Sequence, residues 1–193
     1  MKVLVACEYS GAVREAFRRL GHDAVSCDLL PSEVHGPHYQ GDVADILCDG
    51  WDLMVAHPPC THLAVSGSRW FKDKVKEQAE ALDFVRLLMG APIAKIAVEN
   101  PISVISSRIR KPDQIIQPFQ FGHTVKKSTC LWLNGLPLLT PTEIVTPEIT
   151  TLKTGARFST WDYNISMDRK NRSKLRSKTF PGVANAMASQ WSK

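Results

Sequence analysis

Short apolar runs of strand length alternate with apolar residues at helical spacing from the start of this chain. Val3 to Cys7 is the first run. Glu8-Tyr9-Ser10-Gly11 follows, and then Val13, Ala16, Phe17 and Leu20 recur on one helical face. Gly21 suits the left-handed residue that closes a helix, and His22 to Cys27 begins a second strand ending on Asp28. Strand, turn, helix and strand make a βαβ unit, which leads to parallel pairing. The alternation continues with apolar strands at residues 52–56, 93–98 and 129–133. Between them residues 73–89 carry Ala79, Leu82, Val85, Leu88 and Met89 on one face of the longest helix. A last helix over 182–191 turns Val183, Ala184, Met187, Ala188 and Trp191 inward, and Trp132 and Trp191 are expected in the core. The expected fold is one α/β domain over residues 1–193, a mostly parallel twisted sheet with helices on both faces. Residues 134–178, rich in turn formers and weak in periodicity, are expected to be loops with short strands.

A chain of 193 residues, 44% hydrophobic and 22% charged, can bury one core and has no low-complexity tract. Its five cysteines are odd in number and lack CxxC spacing, the usage of a reducing compartment. The first residues enter a strand directly and no apolar stretch approaches membrane length, so a soluble cytoplasmic protein without leader or membrane partner is expected. The net charge is +5, with Lys126-Lys127 and then Arg169, Lys170, Arg172, Lys174, Arg176 and Lys178 late in the chain. Such a run suits a polyanion, duplex or single-stranded DNA above all, although basic runs also form plain solvated faces.

In open α/β sheets ligands bind beyond the carboxyl ends of the strands. The chemically capable residues fall there: Glu8 to Gly11, Asp28, Asp42, His57 to Cys60, and Glu99-Asn100. A lone cysteine is more often an inert filler. Cys60, however, follows two prolines that must end its strand, so a rigid turn projects the thiol into the crevice, as a nucleophile requires. Glu99 ends a very apolar strand. It reads either as a strand-end or helix-start acid before Pro101, or as a general acid for a ring nitrogen. A thiolate attacking an electron-poor ring that a carboxyl group protonates is a coherent reaction, and neither group suffices alone.

Pro58-Pro59-Cys60 followed by Glu99-Asn100 resembles the DNA cytosine-C5 methyltransferases, in which a Pro-Pro-Cys turn supplies the nucleophile and a Glu-Asn pair the ring acid. The order of motifs is also similar. Phe121-Gly122-His123-Thr124-Val125-Lys126-Lys127 looks like the segment whose basic residues flank the substrate, and Ala184-Asn185-Ala186-Met187 like the Asn-Ala motif that returns to the cofactor. The resemblance implies a Rossmann-like domain using S-adenosylmethionine. It assigns Tyr9, Ser10, Gly11 and Pro58 to the cofactor's side, Asp28 to its ribose, Asp42 to its adenine amino group and Asn185 to its methionine carboxylate. Cys60 and Glu99 become catalytic, with Asn100, Lys126 and Lys127 beside the substrate. Ser66-Gly67-Ser68-Arg69-Trp70 is expected to form a loop closing over the target base, with Arg69 on a phosphate. In a duplex the target must flip out of the stack.

The chain departs from that family at several points. His57 stands where Gly is usual, Thr61 replaces a common Gln, Pro101 follows where Val is usual, and lysines stand for arginines. Residues 134–178 replace a large target-recognition region. Sequence readout is then absent or supplied by a partner protein, a pattern that suits a phage product, or the substrate is a free pyrimidine nucleotide. Two further readings stay open: an inactive nucleic-acid-binding relative, and a zinc site from His35, His38, His57, Cys60 and His62. The zinc deaminases use H-x-E and P-C-x-x-C, which this chain lacks, so no metal is expected. Amino-methyltransferases also place a Pro-Pro turn here but follow it with an aromatic residue, where this chain has Cys60.

Overall fold

The computed structural model describes residues 1–168 and 170–192, so Arg169 of the basic run lies outside the described residues. The chain runs through β1 (Lys2–Ala6), α1 (Ala12–Arg19), β2 (Asp23–Asp28), β3 (His38–Gln40), β4 (Leu53–Ala56), α2 (Val75–Met89) and β5 (Lys95–Pro101). It continues with α3 (Ile105–Arg108), β6 (Gln114–Ile116), β7 (Thr129–Asn134), β8 (Ile149–Thr151), β9 (Arg157–Ser159), α4 (Thr160–Met167), α5 (Arg172–Ser177) and α6 (Pro181–Trp191).

Seven strands form one sheet in the order β3-β2-β1-β4-β5-β7-β6. All neighbours are parallel except β7, which runs antiparallel to both β5 and β6. Side chains alternate across the pleat, so Val3, Val5, Leu53 and Val55 enter one core layer while Leu4, Ala6, Met54 and Ala56 enter the other. Phe17 of α1 and Met187 and Trp191 of α6 cover the first layer, and Leu82, Val85 and Leu88 of α2 cover the second. Burial on both faces explains why these strands read as continuous apolar runs. Each fully buried Leu, Val or Phe contributes about 1.5–3 kcal/mol. Trp132 and Trp191 are each only 1% exposed.

The expected elements are present, with differences at their edges. The strand expected at residues 93–98 runs over Lys95–Pro101 and takes in Glu99-Asn100, because β7 keeps pairing with it as far as Pro101 opposite Thr129. The expected loop at Ser66 to Trp70 is a 3-10 segment, Val65–Asp73, leading into α2. Within residues 134–178 the strands β8 and β9 form a hairpin, and the polar stretch after them adds α4 and α5. Among the described residues no helix is long and apolar enough to cross a membrane. All five cysteines are free thiols.

Candidate functional site

The strand order reverses between β1 and β4, and the turns after these two strands open side by side at the carboxyl edge of the sheet. After β1, Cys7 takes a left-handed φ of 59° and Gly11 one of 73°. A Cβ on Gly11 would collide with Val34 and Arg14. Glu8 is buried and anchors the turn. Its Oε1 accepts from Val13 N (2.7 Å) and Ser10 Oγ (3.2 Å), and its Oε2 from Arg14 N (3.1 Å). The carboxylate thus satisfies open donors at the start of α1 and favours the helix dipole. Arg14 is wholly buried and donates to Ser26 Oγ, Ser32 Oγ, Val34 O and His35 O, so one guanidinium shapes the loop after β2.

Asp28 and Asp42 flank this crevice. Burial, then the Asp28 charge, with Cys27 and Asp42 adding to it, push the Cys7 thiol up to about 12. Glu8 N donates to Cys27 O (3.0 Å) and Gly41 N to Asp28 O (3.0 Å), which sets Asp28 and the start of the Asp42 turn beside the end of β1. Asp28 Oδ1 accepts from Leu30 N (2.9 Å), and Asp42 Oδ1 caps the next 3-10 turn through Ala44 N (2.9 Å). Ser10 and Gly11 lie in the same turn. The Tyr9 hydroxyl instead meets α5, donating to Lys174 O (3.2 Å) and lying 2.9 Å from Ser177 Oγ. Asn185 is farther away: it is exposed on α6 and accepts from Arg19 Nη2 (2.9 Å) at the end of α1, the end remote from the crevice.

Beyond β4 the turn His57-Pro58-Pro59-Cys60 is held from several sides. His57 N donates to Ala6 O (2.9 Å), extending the β1–β4 ladder by one residue. Asn100 Nδ2, buried, donates to Pro58 O (2.8 Å). Cys60 O accepts from Leu63 N (3.0 Å) and Ala64 N (2.9 Å), leaving the thiol at an exposed position. Proline rings and these bonds together leave the turn little freedom.

Glu99 and Lys127 complete the target side. Desolvation, then the Glu99 charge, push the Cys60 thiol above its ordinary 9.0, while Lys127 and Arg176 pull it back. His57 Nδ1 lies 3.2 Å from Glu99 Oε2, with side-chain exposures of 8% and 19%. Burial alone would lower the His57 pKa, but the hydrogen bond and charge of Glu99, with help from Glu8, raise it. Burial would raise the Glu99 pKa, but His57 and then Lys127 hold it below the usual carboxylate value. The direction for both is an ion pair. Lys127 reaches Arg176 O (2.8 Å) and lies over the rings of Trp161 (5.8 Å) and Phe180 (5.7 Å). Burial lowers its pKa.

A cleft of about 670 Å³ opens beside these groups, walled by Ser66, Ile102, Lys126, Lys127, Arg157 and Phe158 among others. Ser66 and Lys126 are thus gathered with Lys127. Arg69 is exposed and lies over Trp70 (5.1 Å). Part of the basic run is paired internally: Lys174 and Lys178 meet Glu33 at 2.7 and 2.6 Å, and Arg176 meets Asp162. Sequence reading missed His57 as the partner of Glu99, Glu8 as a cap, Arg14 as a loop anchor, and Arg157 and Phe158 at the cleft. The one signal available was His57 itself, an ionisable residue beside the turn. Among the described residues no three His, Cys, Asp or Glu side chains cluster as a metal-ligand set.

No protein-family model matches the chain, and no curated protein matches it. Among solved structures it is similar to a candidate DNA modification methyltransferase encoded within an Escherichia coli prophage. The TM-score is 0.51 at 13% identity, over 75% of this chain and 51% of the other. The present chain therefore spans about half the length of that protein. At this identity the likeness concerns architecture alone, and with the sheet order described above it gives the chain a Rossmann-like α/β fold shared with that protein.

Proposed function

We propose that this chain transfers a methyl group from S-adenosylmethionine to C5 of cytosine in DNA through a covalent Cys60 adduct, with sequence specificity low or supplied by a partner. The observation that carries the reading is the gathering of a thiol on a rigid Pro-Pro turn, a carboxylate and a lysine at one edge: Asn100 and His57 tie the Cys60 turn to β5 beside Glu99, and Lys127 leads into β7, whose Thr129 pairs with Pro101. The solved prophage protein of similar fold, a candidate DNA modification methyltransferase, supports methyl transfer as the reaction class.

The crevice between the turns after β1 and β4 fits the cofactor. The left-handed Gly11 gives the tight turn after β1, and Asp28 and Asp42, brought to that turn by the Gly41 N to Asp28 O bond, supply acceptors for a ribose diol and an amino group. When bound there, S-adenosylmethionine supplies an electrophilic methyl group. Ser10, Gly11 and Pro58 then line its path to the base. Cys60, once deprotonated, adds its sulfur to C6 of the ring. Glu99 supplies a proton at N3 as the ring electrons move there, which makes C5 nucleophilic. Lys127, close to both groups, favours the thiolate. After transfer a base removes the C5 proton, the Cys60 bond breaks, and the N3 proton returns to Glu99. Ser66, Arg69, Asn100 and Lys126 border the place of the base and its phosphates. Asn100 acts by holding Pro58.

A second substrate class, a free pyrimidine nucleotide, is favoured by one observation: Lys174, Arg176 and Lys178 spend their charge on Glu33 and Asp162, which weakens the polyanion footprint. The test offers labelled S-adenosylmethionine with duplex DNA, single-stranded DNA, RNA and dCMP, to the wild type and to Cys60→Ser. Transfer confined to DNA and abolished in Cys60→Ser is the expected result. Transfer that survives loss of the thiol overturns the mechanism, and transfer to dCMP alone moves the substrate to the nucleotide.

A further inference from the structure

His57 occupies an unusual place for an ionisable side chain. Its backbone is fixed by the ladder bond to Ala6 O (2.9 Å), and Pro58 restricts it from the other side. Its ring is 8% exposed and touches Glu99 through Nδ1. Its Nε2 is buried without a hydrogen-bond partner among the described residues. The charged groups that face it come from three elements: Glu99 from β5, Glu8 from the turn after β1, and Lys127 from the segment before β7. Burial, with its unpartnered Nε2, and Lys127 oppose a charged imidazole, and the Glu99 hydrogen bond and charge with Glu8 outweigh them.

A charged His57 creates a chemical difficulty that also suggests its use. Glu99 is then a carboxylate, able to accept a hydrogen bond but holding no proton to give to a ring nitrogen. The nearest proton is the one on His57 Nδ1, 3.2 Å from Glu99 Oε2. We infer that His57 is the proton reservoir for Glu99, a positioning residue that acts through the carboxylate and never meets the base; this rests on the C5 reading. The proton moves from Nδ1 to Oε2, leaving a neutral imidazole and a carboxylic acid. As the Cys60 Sγ–C6 bond forms and the ring electrons shift, Glu99 gives that proton to N3 and becomes a carboxylate again. Elimination of Cys60 reverses the path, and the proton returns through Glu99 to His57. The pair ends each turnover with the proton it began with.

The dependence on pH has a definite sign. His57 holds the proton below its own raised value, so the acid function is present at low pH and lost as pH rises through that value, above the ordinary 6.5. Thiolate formation at Cys60 runs the other way.

The test compares single-turnover methyl transfer across pH for the wild type and His57→Gln, which keeps an N–H for Glu99 but cannot give up a proton. The wild-type rate should rise with pH and level off above the imidazole value, where loss of the acid offsets gain of the thiolate. His57→Gln should lack that break, its rate rising on toward the Cys60 value, and run on the order of 100-fold slower at neutral pH. An NMR titration of the free protein should place the His57 midpoint above 6.5, and Glu99→Gln should lower it. A pH profile shared by wild type and His57→Gln overturns the inference, as does an imidazole that titrates at or below its ordinary value. Failure of the wild type to form an adduct with DNA containing 5-fluorocytosine overturns the C5 reading and the relay with it. The NMR titration then still decides whether the pair shares the proton.

Discussion

His57 Nδ1 and Glu99 Oε2 face each other at 3.2 Å across the ends of β4 and β5, and each pulls the other toward its charged form. The pair should leave a trace in stability. A raised histidine adds stability that is complete below 6.5 and fades as pH rises through its folded value. A depressed carboxyl adds stability that is complete above 4.5 and fades as pH falls through its folded value. The difference between wild type and Glu99→Gln in urea unfolding should therefore be largest between about pH 4.5 and 6.5, on the order of 1–3 kcal/mol. It should shrink on both sides, and a difference flat with pH would deny the pairing.

Cys60 should react as a thiol held above its ordinary value. Alkylation of Cys60, followed by peptide mass spectrometry, should accelerate as pH rises, with a midpoint above 9.0. Lys127→Met should move the midpoint higher and Glu99→Gln lower, because the lysine favours and the carboxylate opposes the thiolate.

Asn100 ties the nucleophile turn to β5. Asn100→Ala removes the buried amide that donates to Pro58 O (2.8 Å). The expected loss is about 1–3 kcal/mol in chemical denaturation. Methyl transfer should fall further than stability accounts for, since the turn gains freedom.

Arg14 is a core residue despite its charge. Arg14→Ala strands acceptors on Ser26, Ser32, Val34 and His35 and should cost about 3 kcal/mol in urea unfolding. Arg14→Lys should recover only part, because an ammonium cannot span the same fork. Hydrogen exchange should accelerate in residues 29–37 in both variants.

Glycine at 182 answers to packing instead of chemistry. A Cβ there would collide with the carbonyl oxygen of Phe121, and Gly182 N donates to His123 Nε2 (2.9 Å). Gly182→Ala should displace the segment that leads to Lys127 and lower the thermal midpoint by several degrees, about what 1–3 kcal/mol of overpacking produces.

The parts of the molecule legible in the sequence are those with a strong period. Val3 to Cys7, the α1 face and the run into Pro58 announce themselves through apolar spacing and proline. The three-residue strands β3 and β6 are too short to show a period, and α4 and α5 are polar with few buried positions. Arg14 reads as a solvated helix residue because nothing local reports the acceptors that fold around it. His57 and Glu99 are 42 residues apart, and only the pairing of β4 with β5 brings them together. Asn185 presents the opposite case. Its Asn-Ala setting suggests the cofactor, while the packing of α6 on α1 carries it to Arg19.

Because β7 runs antiparallel to β5, the reactive edge receives the exit of one strand and the entrance of the other. Pro101 sits opposite Thr129 and Asn100 opposite Cys130. Lys127 is delivered by register, much as a key is delivered by its teeth. A single residue inserted between Lys127 and Cys130 would reverse which face each following side chain meets. The stretch between Asn134 and Ile149 leaves from the opposite end of β7 and returns to brace the segment before Lys127, Gly122 N donating to Glu143 O (2.9 Å) and Val145 N to Phe119 O (2.9 Å). A recognition element grafted there must therefore spare residues 142–148 if the thiol, carboxylate and lysine are to keep their alignment.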